Sequence, residues 1–229
     1  MENELLTRVS PENEWDVHWT SLENGRSVFS MASKLMRRYV FQPMVSFYCD
    51  AFFPESGVFI EMGCGTAYSS AQLPKRNRTL IGLDFSAVAL QAANVHGSMD
   101  SLINADIFDV PCESDSLDGI WNLGVMEHFS EVEIHKALRE FNRVLKPGGV
   151  VVLFWPTERN LSRWLLAPLE RVLSWWRRSE FTFFPDEISR LSSKDEAARL
   201  MESEGFRVIR TEFNWRSAFI HMAVVAVKE

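Results

Sequence analysis

The stretch Phe59-Ile60-Glu61-Met62-Gly63-Cys64-Gly65-Thr66-Ala67 constrains this chain more than any other. It reads as a short buried strand ending in an acid, then a tight Gly-x-Gly turn that opens a helix. Glycine has no Cβ and tolerates positive φ, so such a turn lets backbone approach a ligand closely. Ile81-Gly82-Leu83-Asp84-Phe85-Ser86 reads as a second strand ending in Asp84, and Leu102-Ile103-Asn104-Ala105-Asp106 as a third ending in Asp106. Carboxylates thus recur at intervals of 23 and 22 residues, about one strand-helix repeat with short loops. The pattern predicts an α/β fold, a doubly wound parallel sheet with helices on both faces. Right-handed crossovers bring the C-terminal ends of such strands to one edge, and ligands bind in the crevice there. Three carboxylates along one crevice suit a ligand rich in hydroxyl and amine donors, or one that is positively charged. They suit a phosphate-rich ligand poorly.

Five motifs in order carry a resemblance to a known family. Glu61-x-Gly63-x-Gly65 and Gly82-x-Asp84-x-Ser86 come first, then Ala105-Asp106 with Phe108-Asp109-Val110-Pro111. Leu117-Asp118-Gly119-Ile120-Trp121-Asn122 and Leu145-Lys146-Pro147-Gly148-Gly149 complete the set. Over residues 57–155 this succession resembles the class I S-adenosylmethionine-dependent methyltransferases. The resemblance implies a Rossmann-like seven-stranded sheet, mostly parallel with a C-terminal antiparallel hairpin. It also implies S-adenosyl-L-methionine as cofactor and methyl transfer as the reaction. One departure is Ala67, where the family often has a third glycine.

Roles follow from the resemblance and the chemistry of each residue. Gly63, Cys64 and Gly65 would meet the methionine and ribose of the cofactor through close backbone contact. Asp84, with Phe85 beside it, would accept from both ribose hydroxyls, a bidentate task suited to a carboxylate. Asp106 would accept from the adenine amine, with Ile107 against the ring. Asn122, Leu123 and Gly124 stand where family members bind the methionine amino group through a backbone carbonyl, and Glu61 would help neutralise that ammonium. For Asp84 and Asp106 the plainer alternative is turn capping. Glu127 and His128 are the candidates for removing a proton from the acceptor, with structural packing of His128 as the alternative. His18, flanked by Trp15 and Trp19, is a second candidate as part of a lid, or else belongs to an aromatic surface cluster.

Two other function classes bear weighing. A dinucleotide-dependent oxidoreductase would use Gly-x-Gly-x-x-Gly, and position 68 holds Tyr68 where that fingerprint requires glycine. A non-catalytic scaffold could keep the fold and bind the cofactor without transferring the methyl group. Intact acids at all three strand ends argue against it.

The net charge of −7 gives no general attraction to nucleic acid and disfavours it as substrate. A small-molecule acceptor is expected, or a lipid-like one if residues 158–178 meet a membrane surface. Cys49, Cys64 and Cys112 show no metal-ligand spacing, nor do the five histidines, so no metal is expected and the thiols read as free in a reducing cytoplasm. The N-terminus lacks a signal-peptide pattern, and no apolar stretch approaches the roughly 20 residues that span a bilayer.

The chain reads as a single domain in four parts. Residues 1–56 form an N-terminal helical cap, with one helix over Val28–Val40 and a second over Met44–Phe53 begun by Pro43. Residues 57–155 form the cofactor-binding core, with helices over Ala67–Gln72, Ala87–Val95 and Glu131–Val144. Its fourth strand spans Leu117–Leu123, and Pro147-Gly148-Gly149 turns into a central strand over Val150–Phe154. Residues 191–229 supply a last helix, Leu191–Glu204, and a hairpin of Phe206–Phe213 with Phe219–Val227. Residues 156–190 are an insertion in which Trp164, Leu165, Leu169 and Trp176 share a helical face and arginines lie largely elsewhere. Over residues 158–178 this reads as a lid burying that face on the core or on a second subunit, with a membrane-surface helix as the alternative.

Overall fold

The computed structural model of the chain describes residue 16 and residues 34–157, 188–217 and 219–229. The strand patterns of the sequence close into one sheet. Its strands among the described residues are β1 (Ser56–Met62), β2 (Asn77–Asp84), β3 (Ser101–Asn104), β4 (Leu117–Leu123), β5 (Leu145–Pro156), β6 (Phe206–Glu212) and β7 (His221–Lys228). Their order is β3-β2-β1-β4-β5-β7-β6. Only β7 runs antiparallel to its neighbours, β5 on one side and β6 on the other. The expected seven-stranded, mostly parallel sheet with an antiparallel C-terminal pair is therefore present. The strand order reverses between β1 and β4, where an open α/β sheet leaves its crevice.

Helices cover both faces. α1 (Gln42–Phe52) buries Met44, Val45 and Tyr48 against Phe59, Trp121, Val152 and Phe154. α3 (Glu131–Val144) and α4 (Lys194–Ser203) bury Ile134, Phe141 and Met201 on the other face, against Ile60, Val151 and Leu153. α2 (Ala87–His96) places Leu90 and Ala93 against Cys64 and Ala67 of the glycine turn. Their starts obey local rules: the hydroxyls of Ser86, Ser130 and Ser193 each accept a backbone N–H from the first turn. At Ser130 the Glu133 carboxylate reaches back to complete a capping box.

Several element boundaries depart from the sequence expectation. Pro43 does not begin a separate helix. A π-helical turn, Arg37–Phe41, runs straight into α1, so the chain is helical from residue 34 to 52. Proline leaves the carbonyl four residues before it without an α-helical donor. In the widened turn the Gln42 N–H donates five residues back to Arg37 O, and the helix passes through. Residues 28–33 of the expected first helix lie outside the described residues.

The helix expected over Ala67–Gln72 is only a 3-10 turn, Tyr68–Ser70, because Ala67 takes a left-handed conformation with φ 52°. Residues Pro147-Gly148-Gly149 lie within β5 rather than before it: Leu117 pairs with Leu145 and Gly119 with Val150, so the extra residues bulge out of the ladder. The last helix starts at Lys194 and not at Leu191, whose backbone bridges to Thr157 at the tip of β5.

Candidate functional site

The glycine turn is built tightly. Gly63 has φ 71°, and a side chain there would run into Val125 in the loop after β4. The Cys64 side chain is buried over β2, so close that Gly82 has no room for a Cβ. Only backbone of Cys64 therefore faces a ligand. The turn's N–H groups are already committed. Those of Gly63 and Cys64 donate to Leu83 O at 2.8 and 2.9 Å, and that of Gly65 to Asp84 Oδ2 at 2.7 Å. A phosphate-binding turn does the opposite, presenting its N–H groups and a helix N-terminus to the anion. Here the three N–H groups of Gly63, Cys64 and Gly65 are spent, and no α-helix follows the turn. That geometry disfavours a pyrophosphate and suits a cation.

Asp84, at the end of β2, is 5% exposed and does cap the turn. Its Oδ2 holds Gly65, and its Oδ1 accepts from the Ser86 N–H at 2.9 Å. Burial raises its pKa, the N–H groups of Ser86 and Gly65 oppose that, and the nearby Asp16 adds to the rise. Capping leaves lone pairs on both oxygens for hydroxyl donors. Asp106 similarly caps its own turn, Oδ1 accepting from Phe108 N–H at 3.0 Å, while its side chain stays exposed. Ile107 beside it is buried. Phe85, half-buried, is pinned through its carbonyl by Asn104 Nδ2 at 2.8 Å.

Glu61 closes β1 and is 2% exposed, with Oε2 lacking any hydrogen-bond partner. Burial pushes its pKa up to about 8, against the pull of hydrogen bonds with Ser70 and Trp121, and the Asp84 charge raises it further. The unliganded carboxyl is thus largely protonated at neutral pH. A cation arriving in the crevice would reverse that. Asn122 is fully buried on β4, its amide donating to Met62 O at 2.8 Å and its Oδ1 left without a partner. Leu123 and the positive-φ Gly124 carry the chain from there into a 3-10 turn, Met126–His128. Glu127 is buried in that turn and His128 half-buried. The Glu127 carbonyl accepts from the N–H groups of Ile188 and Ser189 at 2.7 and 3.0 Å, latching the turn to the far end of the insertion. His18 and residues 158–178 lie outside the described residues. Among the described residues there is no cluster of His, Cys, Asp and Glu fit for a metal, and no helix long and apolar enough to cross a membrane.

Tertiary structure adds residues that local patterns did not single out. Asp16 reaches the mouth of the crevice and accepts from the Ser86 hydroxyl, a contact across 70 positions of sequence. At the same sheet edge, Trp155 Nε1 and Thr157 Oγ1 at the end of β5 and His221 Nδ1 at the start of β7 are buried without partners. His221 stacks edge-on against Phe41, its ring centroid 5.2 Å away, and burial lowers its pKa to about 4. Trp155 on β5 and Thr157 just past its end, two apart in extended chain, share one face, whereas His221 pairs with Pro156 and so faces the other. Two polar strand ends therefore flank the crevice beyond Gly124. No sequence signal marked them, because a lone Trp, Thr or His in an apolar run reads as core.

Comparison with known proteins accords with this geometry. Residues 60–153 match the methyltransferase domain family. The ubiquinone biosynthesis O-methyltransferase of Brucella ovis is 27% identical over 158 residues, covering 64% of this chain. This chain's match spans 62% of that relative's length. Among solved structures, an S-adenosylmethionine-dependent methyltransferase from Thermotoga maritima superposes with a TM-score of 0.64 at 18% identity, covering 94% of this chain and 100% of that one. Magnesium protoporphyrin IX methyltransferase from Synechocystis PCC 6803, solved with S-adenosylhomocysteine, gives a TM-score of 0.61 at 15% identity, covering 95% and 96%. Residues 60–153 thus match a methyltransferase domain, and the described sheet has the fold of solved S-adenosylmethionine-dependent methyltransferases.

Proposed function

We propose that this protein binds S-adenosyl-L-methionine in the crevice above β1, β2 and β4 and transfers its methyl group to a small, lipid-like acceptor. The observation that carries the reading is the pairing of a Gly63-Cys64-Gly65 turn whose three N–H groups are spent with a buried carboxyl, Glu61, whose Oε2 has no partner. Such a site offers acceptors and a carboxyl that ionises as a cation arrives, which fit an ammonium, a sulfonium and ribose hydroxyls. The residues fit the cofactor as follows. Asp84 takes the ribose hydroxyls, and Asp106 with Ile107 takes the adenine. Glu61 faces the ammonium, while Gly63 to Gly65 and Asn122 to Gly124 wall in the methionine portion.

When bound, the cofactor supplies a methyl group on a good leaving group. The protein's task is then alignment and exclusion of water. Glu127 and His128, in the turn after β4, are placed to take a proton from an acceptor hydroxyl or amine, and His18 is a second such group. His221, Thr157 and Trp155 at the neighbouring strand ends supply polar contacts for the acceptor. Two similar proteins support the acceptor class: a ubiquinone biosynthesis O-methyltransferase and a magnesium protoporphyrin IX methyltransferase. Residues 1–56 as a cap and 156–190 as a lid belong to the same reading, as does a cytoplasmic location, with which the free thiols of Cys49, Cys64 and Cys112 accord.

Calorimetric titration of S-adenosylmethionine and S-adenosylhomocysteine into wild type and Asp84→Asn tests it. Micromolar binding weakened in the variant, followed by turnover on quinol-type acceptors, supports the proposal. Absence of binding by folded wild type overturns it, and binding with no turnover on any acceptor favours the scaffold reading.

A further inference from the structure

The outward face of the helix that includes α1 does not suit water. Its exposed apolar positions recur every four residues: Leu35, Tyr39, Pro43, Phe47 and Ala51. Residues four apart share a helix face, so these form one stripe along the whole element. Tyr39 is 68% exposed and Leu35 50%. The other fully exposed side chains of the element are cations, Lys34 and Arg38. Its one acid, Asp50, is bound by Arg76 and Arg78.

The turn before β7 extends the same surface. The Arg216 guanidinium lies 3.8 Å from the Phe47 ring centroid and 4.7 Å from that of Trp215, itself 69% exposed. Phe219 is also exposed, and the 3-10 turn Trp215–Ser217 packs on both the π-helical turn and α1. Five of the nine large exposed hydrophobic side chains among the described residues therefore gather here: Leu35, Tyr39, Phe47, Trp215 and Phe219. Scattered apolar residues on a surface are ordinary, but a gathered patch marks an interaction site.

We propose that this face docks the protein on a lipid surface bearing anionic headgroups. Three observations select that occupant. The patch is cationic at Lys34, Arg38 and Arg216 on a chain whose net charge is −7, so its polarity opposes that of the molecule. Its largest exposed side chains are a tyrosine and a tryptophan, which combine an apolar ring with a polar tip and settle at headgroup depth. A basic amphipathic helix with an aromatic face lies in the plane of such an interface. The patch also adjoins the crevice: Phe41 of the π-helical turn stacks on His221, and the turn carrying Trp215 precedes that residue on β7. A lipid-like acceptor would thus meet the crevice from the bilayer. That consequence rests on the proposed function, whereas the docking itself does not.

The test is co-sedimentation of the full chain with vesicles of phosphatidylcholine alone and mixed with phosphatidylglycerol, at low and high salt. The expected result is binding to the mixed vesicles, weakened by salt, with Arg38→Gln and Arg216→Gln each reducing the partition about fivefold. Tyr39→Ser with Trp215→Ser should reduce it further while the melting temperature and S-adenosylhomocysteine binding stay those of wild type. Failure of wild type to sediment, or binding unchanged in these variants, overturns the proposal. So does self-association of wild type that the serine variant abolishes without any vesicle binding, which would make a second copy the occupant. Calorimetry with S-adenosylhomocysteine on the same preparations separates the two ideas. Cofactor binding without docking sinks only the surface, and docking without cofactor binding sinks only the methyltransferase reading.

Discussion

Glu61 and Asp84 show how much a single carboxyl's surroundings decide. Asp84 already holds two backbone N–H groups in the unliganded protein, so it is preorganised for hydroxyl donors. Replacing it with asparagine keeps the volume and removes the charge. We expect a loss of about 1.5–3 kcal/mol in cofactor binding, the range for hydrogen bonds to a charged group, read by calorimetry. An unchanged Kd would remove Asp84 from the site. Glu61 carries a pH signature. Its folded pKa, about 8, lies above the unfolded value of 4.5, so the folded state favours the protonated form. Its contribution to stability is complete below about pH 4.5 and is lost as pH rises towards 8. Glu61→Gln should therefore raise the melting temperature of the unliganded protein at pH 8 and leave it nearly unchanged at pH 4.5. Binding of an ammonium favours the ionised form, so cofactor affinity should rise with pH up to about 8 with release of a proton. Titrations in buffers of different ionisation enthalpy would detect that proton, and Glu61→Gln should abolish it.

At the scale of elements, the helix over α1 is held to the sheet by a buried guanidinium. Arg78 on β2 donates to Phe53 O, Pro54 O and Pro74 O and to Asp50, with distances from 2.7 to 3.3 Å. Its side chain is 1% exposed. Methionine there would fill the space and leave three carbonyls without this donor, while Asp50 keeps Arg76. We expect a loss of about 3 kcal/mol in denaturant unfolding, and a smaller loss would mean that water reaches those carbonyls. Elements also show where local reading stops. The caps at Ser86, Ser130 and Ser193 are contacts over three residues, within the reach of a local pattern, yet the last helix, expected from Leu191, starts after Ser193. Pro43 misleads because its missing N–H is absorbed by a π-helical turn that no local rule requires. Ala67 ends the expected helix after the glycine turn by turning left-handed, φ 52°, where it is buried with Cys64 and Leu90.

For the whole molecule, stability against pH should reflect two buried groups of opposite sign. His221 has a folded pKa near 4, below its ordinary 6.5, so the neutral ring is favoured and stability is lost as pH falls from 6.5 towards 4. Glu61 acts in reverse as pH rises to 8. Each group changes stability by at most about 1.4 kcal/mol per pH unit. The unliganded protein should therefore be most stable in mildly acid solution. A melting profile should lose its acid limb in His221→Phe, which keeps a ring against Phe41, and its alkaline limb in Glu61→Gln. A profile that is identical in all three proteins would show that neither group is held as described.

Strand periodicity, acids at strand ends and the five ordered motifs are properties of short stretches. They were enough to define the α/β class, the crevice at the strand ends and the antiparallel last pair. The residues beyond the motifs were decided only in three dimensions. Asp16 meets Ser86 across 70 positions, and Phe47 meets Arg216 and Trp215 from distant parts of the chain. The same holds for the spent donors of the glycine turn, which are taken by Leu83 and Asp84 of the next strand. Periodicity records which side chains share a face. It does not record which distant element will pack there, or leave that face bare, because those choices depend on the free energy of the assembled chain.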